Sequence, residues 1–276
     1  MRLLNQTTNR PKGSMMKINI LGIGTMGSQV ASLLAILGYE VIAWNRSDLE
    51  AKQKKCQRNR RILGRKLTDA GGEIHFTNDV KTLSAALTIE TLEENLDTKK
   101  QVIRQLPYDL SIHGFFSNTS SYRPEEIHPA AGGLHFFNPI QTLRLVEHLT
   151  PPQPTKQGNQ LIALLAENNF TMVDVKANRG YVGNVLLFAE ISATLKLVDN
   201  YKYTTETIDQ ITNSIGRETS IFSIIDLIGI DTTKRILDNL HEEDSSIYVS
   251  PLLSKAMSLN IYGRKNRTSI LEVING

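Results

Sequence analysis

Residues 17–44 read KINILGIGTMGSQVASLLAILGYEVIAW, and this stretch decides the architecture. Lys17 to Leu21 is a short apolar run that ends in Gly22, Gly24 and Gly27, and from Met26 to Leu37 the residues Val30, Leu33, Leu34 and Leu37 recur at helical spacing. Gly38 stops the helix, and Glu40 to Trp44 supplies a second apolar run. Strand, glycine turn, helix and strand within about thirty residues make a βαβ unit of the size that a nucleotide-binding half-fold requires.

The alternation continues outward from there. Further strands are predicted at Ile74–Phe76, Leu87–Glu90, Leu110–Phe116, Leu134–Phe137 and Leu143–His148, with helical stretches at 48–68, 79–85 and 95–106. After Pro151, Pro152 and Pro154 come a helix near 156–168 and a strand at Phe170–Val175. From Gly183 the pattern is helical throughout, over 183–200, 205–214, 220–241 and 250–259, with stripes such as Val185, Phe188, Ile191 and Leu195. The expected fold is α/β, a Rossmann-type doubly wound parallel sheet over 17–182 followed by an all-helical C-terminal domain over 183–276. The loop Lys176–Val182 is the expected boundary, and residues 1–16 are expected to form a disordered leader.

Composition excludes several classes. The chain has 276 residues, 40% of them hydrophobic, enough for two ordinary cores. Thirty-one Lys and Arg against 28 Asp and Glu leave a net charge of +3, too small to imply nucleic acid. The single cysteine, Cys56, has no disulfide partner and no metal-ligand companions, so a reducing cytoplasmic setting is expected and a structural metal is not. No 18-residue apolar run is evident and no membrane span is expected.

Gly22-Ile23-Gly24-Thr25-Met26-Gly27 is G-x-G-x-x-G placed after a strand and opening a helix. The first glycine permits the tight turn, the second lets backbone approach a pyrophosphate, and the third packs helix against strand, while the helix N-terminus favours anions. Second strands of this kind usually end in an acid that accepts hydrogen bonds from the ribose of NAD. Here the sequence is Trp44-Asn45-Arg46-Ser47. An acid would repel a 2′-phosphate, whereas Asn45, Arg46 and Ser47 offer donors and a guanidinium that forks onto phosphate, so NADP(H) is expected over NAD(H). The other reading makes Arg46 a solvated loop charge and leaves Asn45 to bind ribose.

Four further stretches occur in order: IETLEENL at 89–96, SNTSS at 117–121, GLHFFNP at 133–139 followed by Leu145-Val146-Glu147, and IDLIGIDTTK at 225–234. Together they resemble the L-3-hydroxyacyl-CoA dehydrogenases over nearly the whole chain after Met16. The resemblance implies oxidation of the 3-hydroxyl of an acyl-CoA to a ketone, or the reverse, with hydride passed to or from a nicotinamide. It makes His135 the general base or acid and Glu147 the carboxylate on the other ring nitrogen. Elementary chemistry agrees, because removing hydride from an alcohol carbon requires loss of the hydroxyl proton, which an imidazole accepts near neutral pH. The resemblance further implies that Ser120 hydrogen-bonds the substrate oxygen, that Asn184 supports the substrate, and that Glu94, Lys99, Asn118 and Asn138 contact the cofactor. A homodimer formed through the helical domain is expected on the same basis.

Between Ala51 and Thr68 lie eight basic residues and no acid: Lys52, Lys54, Lys55, Arg58, Arg60, Arg61, Arg65 and Lys66. In the family the corresponding region helps hold CoA, and a solvated basic face is the alternative. The chain departs from the family at Arg179, Val185, Arg217–Ile221 and Gly263–Ile270. Two alternatives follow: a dehydrogenase of a free 3-hydroxy acid or sugar acid, whose relatives use a catalytic lysine on the interdomain helix, and a non-catalytic NADPH-binding protein.

Overall fold

A computed structural model of the chain describes residues 16–276, so the leader expected over 1–16 lies outside the described residues up to its last position. In chain order the elements begin β1 (Lys17–Leu21), α1 (Thr25–Ile36), β2 (Glu40–Trp44), α2 (Leu49–Leu63), β3 (Ile74–Thr77), β4 (Leu87–Glu90), α3 (Leu96–Ile103), α4 (Leu110–His113) and β5 (Phe115–Ser117). They continue through α5 (Pro124–Ile127), β6 (Ala131–Phe136), β7 (Leu145–Leu149), α6 (Lys156–Glu167) and β8 (Thr171–Asp174). The helical remainder comprises α7 (Tyr181–Tyr201), α8 (Thr205–Ser214), α9 (Ile221–Ile228), α10 (Ile230–Glu243), α11 (Pro251–Ser258) and α12 (Leu271–Ile274).

One eight-stranded sheet runs in the order β3-β2-β1-β4-β5-β6-β7-β8. The pairs from β3 across to β6 are parallel, whereas β6 and β7 pair antiparallel. That last pairing departs from the expected all-parallel continuation. β4 and β6 are buried at every position, as strands covered by helices on both faces must be. Ile18, Ile20, Val30, Leu33, Leu34, Ile89, Leu134 and Phe136 lie in the core of this unit.

The chain forms two compact units. The first holds the described residues up to Asn118 together with His128–Val173, and the second holds Thr119–Ile127 together with Asp174–Gly276. By contacts the division falls at 173/174, shortly before the loop 176–182, and a nine-residue segment from the middle of the sheet sequence joins the helical unit. Hydrogen bonds inside the second unit account for that segment: Arg179 binds Glu126, Arg123 binds Glu243, and Asn184 binds the Ser120 carbonyl. The helical core gathers Phe188, Ile191, Leu195, Phe222, Ile225, Leu237 and Leu253.

Three local expectations are corrected. Leu110–Phe116 is not one strand: the Asp109 carboxylate accepts from Ser111 N at 2.8 Å and caps the single turn α4, and Gly114 at φ 89° then redirects the chain into β5. Over 79–85 only residues 80–82 coil, as a 3-10 turn capped by Asp79. The stretch 220–241 breaks at Gly229, whose φ of 98° separates α9 from α10 and where a Cβ would lie 2.4 Å from Lys265 Cε. α7, with 21 residues and a mean hydropathy of 1.4 over its most apolar window, is long and apolar enough to cross a membrane by length and composition alone, although Asn184, Glu190 and Lys196 interrupt its apolar run. Its Phe188, Ile191, Leu195 and Val198 are spent instead on the helical core.

Candidate active site

The parallel registers set one row of residues level across the sheet: Leu21 pairs with Glu90, Glu90 with Ser117, and Ser117 with Gly133. His135 follows two positions further along β6, past the carboxyl ends of β1, β4 and β5, on the edge where the glycine turn begins. Strand order reverses between β1 and β4, and open α/β sheets bind ligands in the crevice at that switch point.

The glycine turn is built for close approach. Gly22 has φ 90°, and a Cβ there would lie 3.0 Å from the Thr91 carbonyl and Leu92 Cα. At Gly27 a Cβ would lie 1.9 Å from the Gly22 carbonyl oxygen and 2.4 Å from Thr91 Oγ1. Gly24, by contrast, is exposed and a Cβ would meet nothing within 4 Å, so the open space there faces outward. α1 starts at Thr25 with no side-chain cap, leaving its first amide groups to a ligand. These features fit the pyrophosphate of a dinucleotide. Thr25 is exposed and Met26 is half-buried, packing on the core. Asn45 braces the turn: its Oδ1 accepts from Ile23 N at 2.9 Å and its Nδ2 donates to Ser47 O at 2.7 Å. Arg46 is exposed, with Nη2 3.8 Å from Glu93, a loose pairing that a phosphate can displace.

Beside the turn, the structure gathers a buried ionic cluster that sequence reading recognised only in part. The Glu90 carboxylate accepts from Lys99 Nζ at 2.7 Å, from Leu92 N at 2.5 Å and from Ser117 Oγ at 2.6 Å. Glu94 lies 3.1 Å from the same ammonium. Burial works against the charged Lys99, but Glu90 and Glu94 more than offset it and hold its pKa above the ordinary lysine value. Glu90, Thr91 and Ser117 were not singled out from sequence; an acid closing an otherwise apolar strand was the available signal.

His135 and Glu147 are brought together by the β6–β7 register, in which they are direct partners. His135 Nδ1 and Glu147 Oε2 are 2.8 Å apart, with both residues about 95% buried (5% and 4% exposed). Phe137 lies 4.9 Å from the imidazole, centroid to centroid, and walls it. Asn118 Oδ1 accepts from Phe136 N at 2.9 Å, linking the end of β5 to the strand that carries His135. Asn138 is exposed and its Oδ1 accepts from Gln29 Nε2 at 3.0 Å, while Gln29 Oε1 accepts from Ile140 N. Gln29, a polar residue inside the apolar α1, was also missed.

Within the second unit, Asn184 Nδ2 donates to the Ser120 backbone carbonyl at 3.0 Å. Asn184 sits in the first turn of α7, after Gly180 at φ 78°, and is not its N-cap. The basic run over 51–68 is divided in use. Arg60 holds Asp69 through two 2.7 Å hydrogen bonds and also donates to Gly72 O, Lys54 pairs with Glu50, and Lys66 reaches Gln141 O. Lys52, Arg58, Arg61 and Arg65 remain exposed or half-exposed on α2 and just beyond it.

Residues 17–178 match the 3-hydroxyacyl-CoA dehydrogenase NAD binding domain, and residues 180–273 match the 3-hydroxyacyl-CoA dehydrogenase C-terminal domain. The chain is 29% identical to the human mitochondrial hydroxyacyl-coenzyme A dehydrogenase, with 90% of this chain and 88% of that one covered. It is 28% identical to a probable 3-hydroxybutyryl-CoA dehydrogenase of Deinococcus radiodurans, covering 91% and 98%. The fold superposes on the crystal structure of (S)-3-hydroxybutyryl-CoA dehydrogenase from Ralstonia eutropha with a TM-score of 0.77 at 24% identity, over 93% of this chain and 98% of that one. A glycine turn open at Gly24, a histidine paired with a carboxylate at the end of β6, and two matching domain models spanning nearly all the described residues place this chain in the 3-hydroxyacyl-CoA dehydrogenase family of oxidoreductases.

Proposed function

We propose that the chain interconverts the 3-hydroxyl and 3-oxo groups of a short acyl-CoA such as 3-hydroxybutyryl-CoA, using NADP(H) in preference to NAD(H). The observation that carries this reading is the buried His135–Glu147 pair at the ligand-binding edge of the sheet. With Nδ1 facing Glu147, proton exchange with the substrate hydroxyl falls to Nε2. Glu147 fixes the tautomer and stabilises the imidazolium that forms when His135 takes the proton. The nicotinamide supplies the hydride acceptor, or in reverse the donor. Ser120 and Asn184 are joined through the Ser120 carbonyl; the family resemblance assigns Ser120 to the substrate oxygen and Asn184 to support of the substrate.

Support for a CoA thioester comes from Lys52, Arg58, Arg61 and Arg65, cations that suit its phosphates. Support for NADP(H) comes from the missing acid at the end of β2 and the loosely held Arg46. A homodimer suits the apolar surface of the helical unit, where Ile211 is 57% and Ile215 80% exposed. A reducing, cytoplasmic setting suits the buried free thiol of Cys56.

The test follows NADPH absorbance with acetoacetyl-CoA and, in parallel, free acetoacetate. Turnover of the thioester is expected, and His135→Gln is expected to lower kcat by about 10²- to 10⁴-fold. Full activity in that variant removes His135 from the chemistry. Preference for the free acid redirects the substrate class, and tight NADPH binding without turnover of any 3-oxoacyl compound points to a non-catalytic protein.

A further inference from the structure

We infer that Gln29 is a positioning residue for the dinucleotide: it holds the Asn138 amide with its NH2 turned outward, as a donor to an acceptor oxygen of the nicotinamide-side ribose. The inference rests on the dinucleotide reading of the glycine turn but not on which of the two dinucleotides is used.

The orientation follows from a chain of donors and acceptors that starts at the backbone. Ile140 N–H can only donate, so the Gln29 atom that meets it at 3.0 Å is the carbonyl oxygen Oε1. Nε2 therefore occupies the other side of the amide, where it donates to the Thr25 carbonyl at 3.2 Å and to Asn138 at 3.0 Å. The Asn138 atom facing that donor must accept, which makes it Oδ1 and turns Nδ2 the other way, on an exposed residue. A flipped Gln29 would set its N–H against Ile140 N–H and its carbonyl against the Thr25 carbonyl, so the arrangement has one solution. Gln29 is 7% exposed in the largely apolar α1, and burying an amide there is costly unless its hydrogen bonds are made. They are made to the first turn of α1 and to the loop that leaves β6, not to the core.

Placement gives the outward NH2 its target. Through Nε2, Gln29 links Asn138 to Thr25, the first residue of α1, whose uncapped amides suit the pyrophosphate. Asn138 also comes three residues after His135, and the nicotinamide must reach the carbon whose oxygen exchanges a proton with that imidazole. The sugar that joins pyrophosphate to nicotinamide passes between these two points, and its oxygens accept from an amide N–H. An Asn138 already fixed by Gln29 gives up little rotamer freedom when the ligand arrives, and that preorganisation strengthens binding.

The test measures Kd on the full chain without substrate, for NADPH and NADH by fluorescence and for ADP and 2′-phospho-ADP by calorimetry. The latter two keep the adenosine and both phosphates but lack the nicotinamide-side ribose. Gln29→Met keeps the volume and removes the hydrogen bonds; it is expected to raise Kd for the dinucleotides by about threefold to tenfold and to leave that of ADP unchanged. Gln29→Glu keeps an acceptor for Ile140 N but offers Asn138 no donor, and is expected to weaken the dinucleotides more than ADP, which keeps the idea testable if Q29M does not fold. Asn138→Ala is expected to weaken the dinucleotides as Q29M does, and in the double variant Q29M/N138A the Gln29 substitution is expected to add nothing, because it acts through Asn138. Unchanged dinucleotide Kd in Q29M overturns the inference. So do equal losses for dinucleotide and ADP, or full additivity in the double variant, either of which would make Gln29 a brace of α1. If the wild type binds neither ADP nor either dinucleotide, the underlying cofactor reading falls and this inference with it.

Discussion

Gly24 and Gly27 stand three residues apart in one turn, yet a methyl group added at each meets opposite surroundings. At Gly27 it would sit 1.9 Å from a backbone carbonyl oxygen that nothing can move aside; at Gly24 it would meet nothing within 4 Å. Gly24 has a negative φ, −77°, but its ψ of −148° lies outside the common wells. Gly27→Ala is therefore expected to cost the fold about 3 kcal/mol or more, and Gly24→Ala only the backbone strain of about 1–2 kcal/mol, by urea denaturation. Dinucleotide affinity is expected to behave the other way in folded protein, because the Gly24 methyl occupies the space a pyrophosphate needs. Unchanged cofactor Kd in Gly24→Ala would remove the phosphate-binding role from that residue. The same contrast shows which residues a sequence exposes to reading. G-x-G-x-x-G announces itself by spacing, as does a histidine among aromatics, but Glu90 and Gln29 act through partners 27 and 111 positions away, and only the folded chain reveals them.

At the scale of elements, the entry into α7 is held by a residue that departs from the family pattern. Arg179 donates to Glu126 at 2.8 Å and to Glu242 at 2.9 Å, tying α5 and α10 to the start of the long helix. Burial works against the Glu126 carboxylate, but the Arg179 hydrogen bond, the Arg123 backbone N–H and the two guanidinium charges outweigh it and hold its pKa below the usual glutamate value. A carboxylate with a lowered folded-state pKa contributes stability that is present above its unfolded pKa and is lost as pH falls through the folded value. Arg179→Ala is expected to lower stability by about 1 kcal/mol at pH 7, and that deficit is expected to shrink as pH falls below about 4.3. A deficit independent of pH across that range would assign Arg179 a packing role instead. Periodicity made the strands and long helices legible, but not where short segments cross between units. Leu110–Phe116 reads as a strand because its apolar residues are contiguous, and only the Asp109 cap and Gly114 turn it into a helical turn plus a strand. The pairing of His135 with Glu147, twelve residues on, became physical only when β7 ran antiparallel to β6.

At the scale of the molecule, the net charge of +3 conceals a division of labour among charged groups. Lys99 and Glu90 are buried and neutralise one another, Arg60 and Asp69 brace α2, and Arg46 stands 72% exposed at the end of β2. Arg46 is the group to which the proposed NADP(H) preference assigns the 2′-phosphate, and its ion-pair partner among the described residues, Glu93, lies 3.8 Å away and is itself 64% exposed. A ligand that binds only the folded chain raises its stability by RT ln(1 + [L]/Kd), so cofactor preference is readable as a melting temperature without any substrate. A guanidinium forked onto a 2′-phosphate contributes about 1.5 kcal/mol or more, which for a chain of this size corresponds to a Tm difference of about 3–6 °C between saturating NADPH and NADH. Arg46→Ala is expected to bring the NADPH shift down to the NADH value and leave the NADH shift unchanged, and kcat/KM for the two cofactors is expected to converge in step. A larger shift with NADH in the wild-type protein would overturn the NADP(H) preference. Equal losses for both cofactors in the variant would show that Arg46 acts on the adenine, common to both, rather than on the phosphate that distinguishes them.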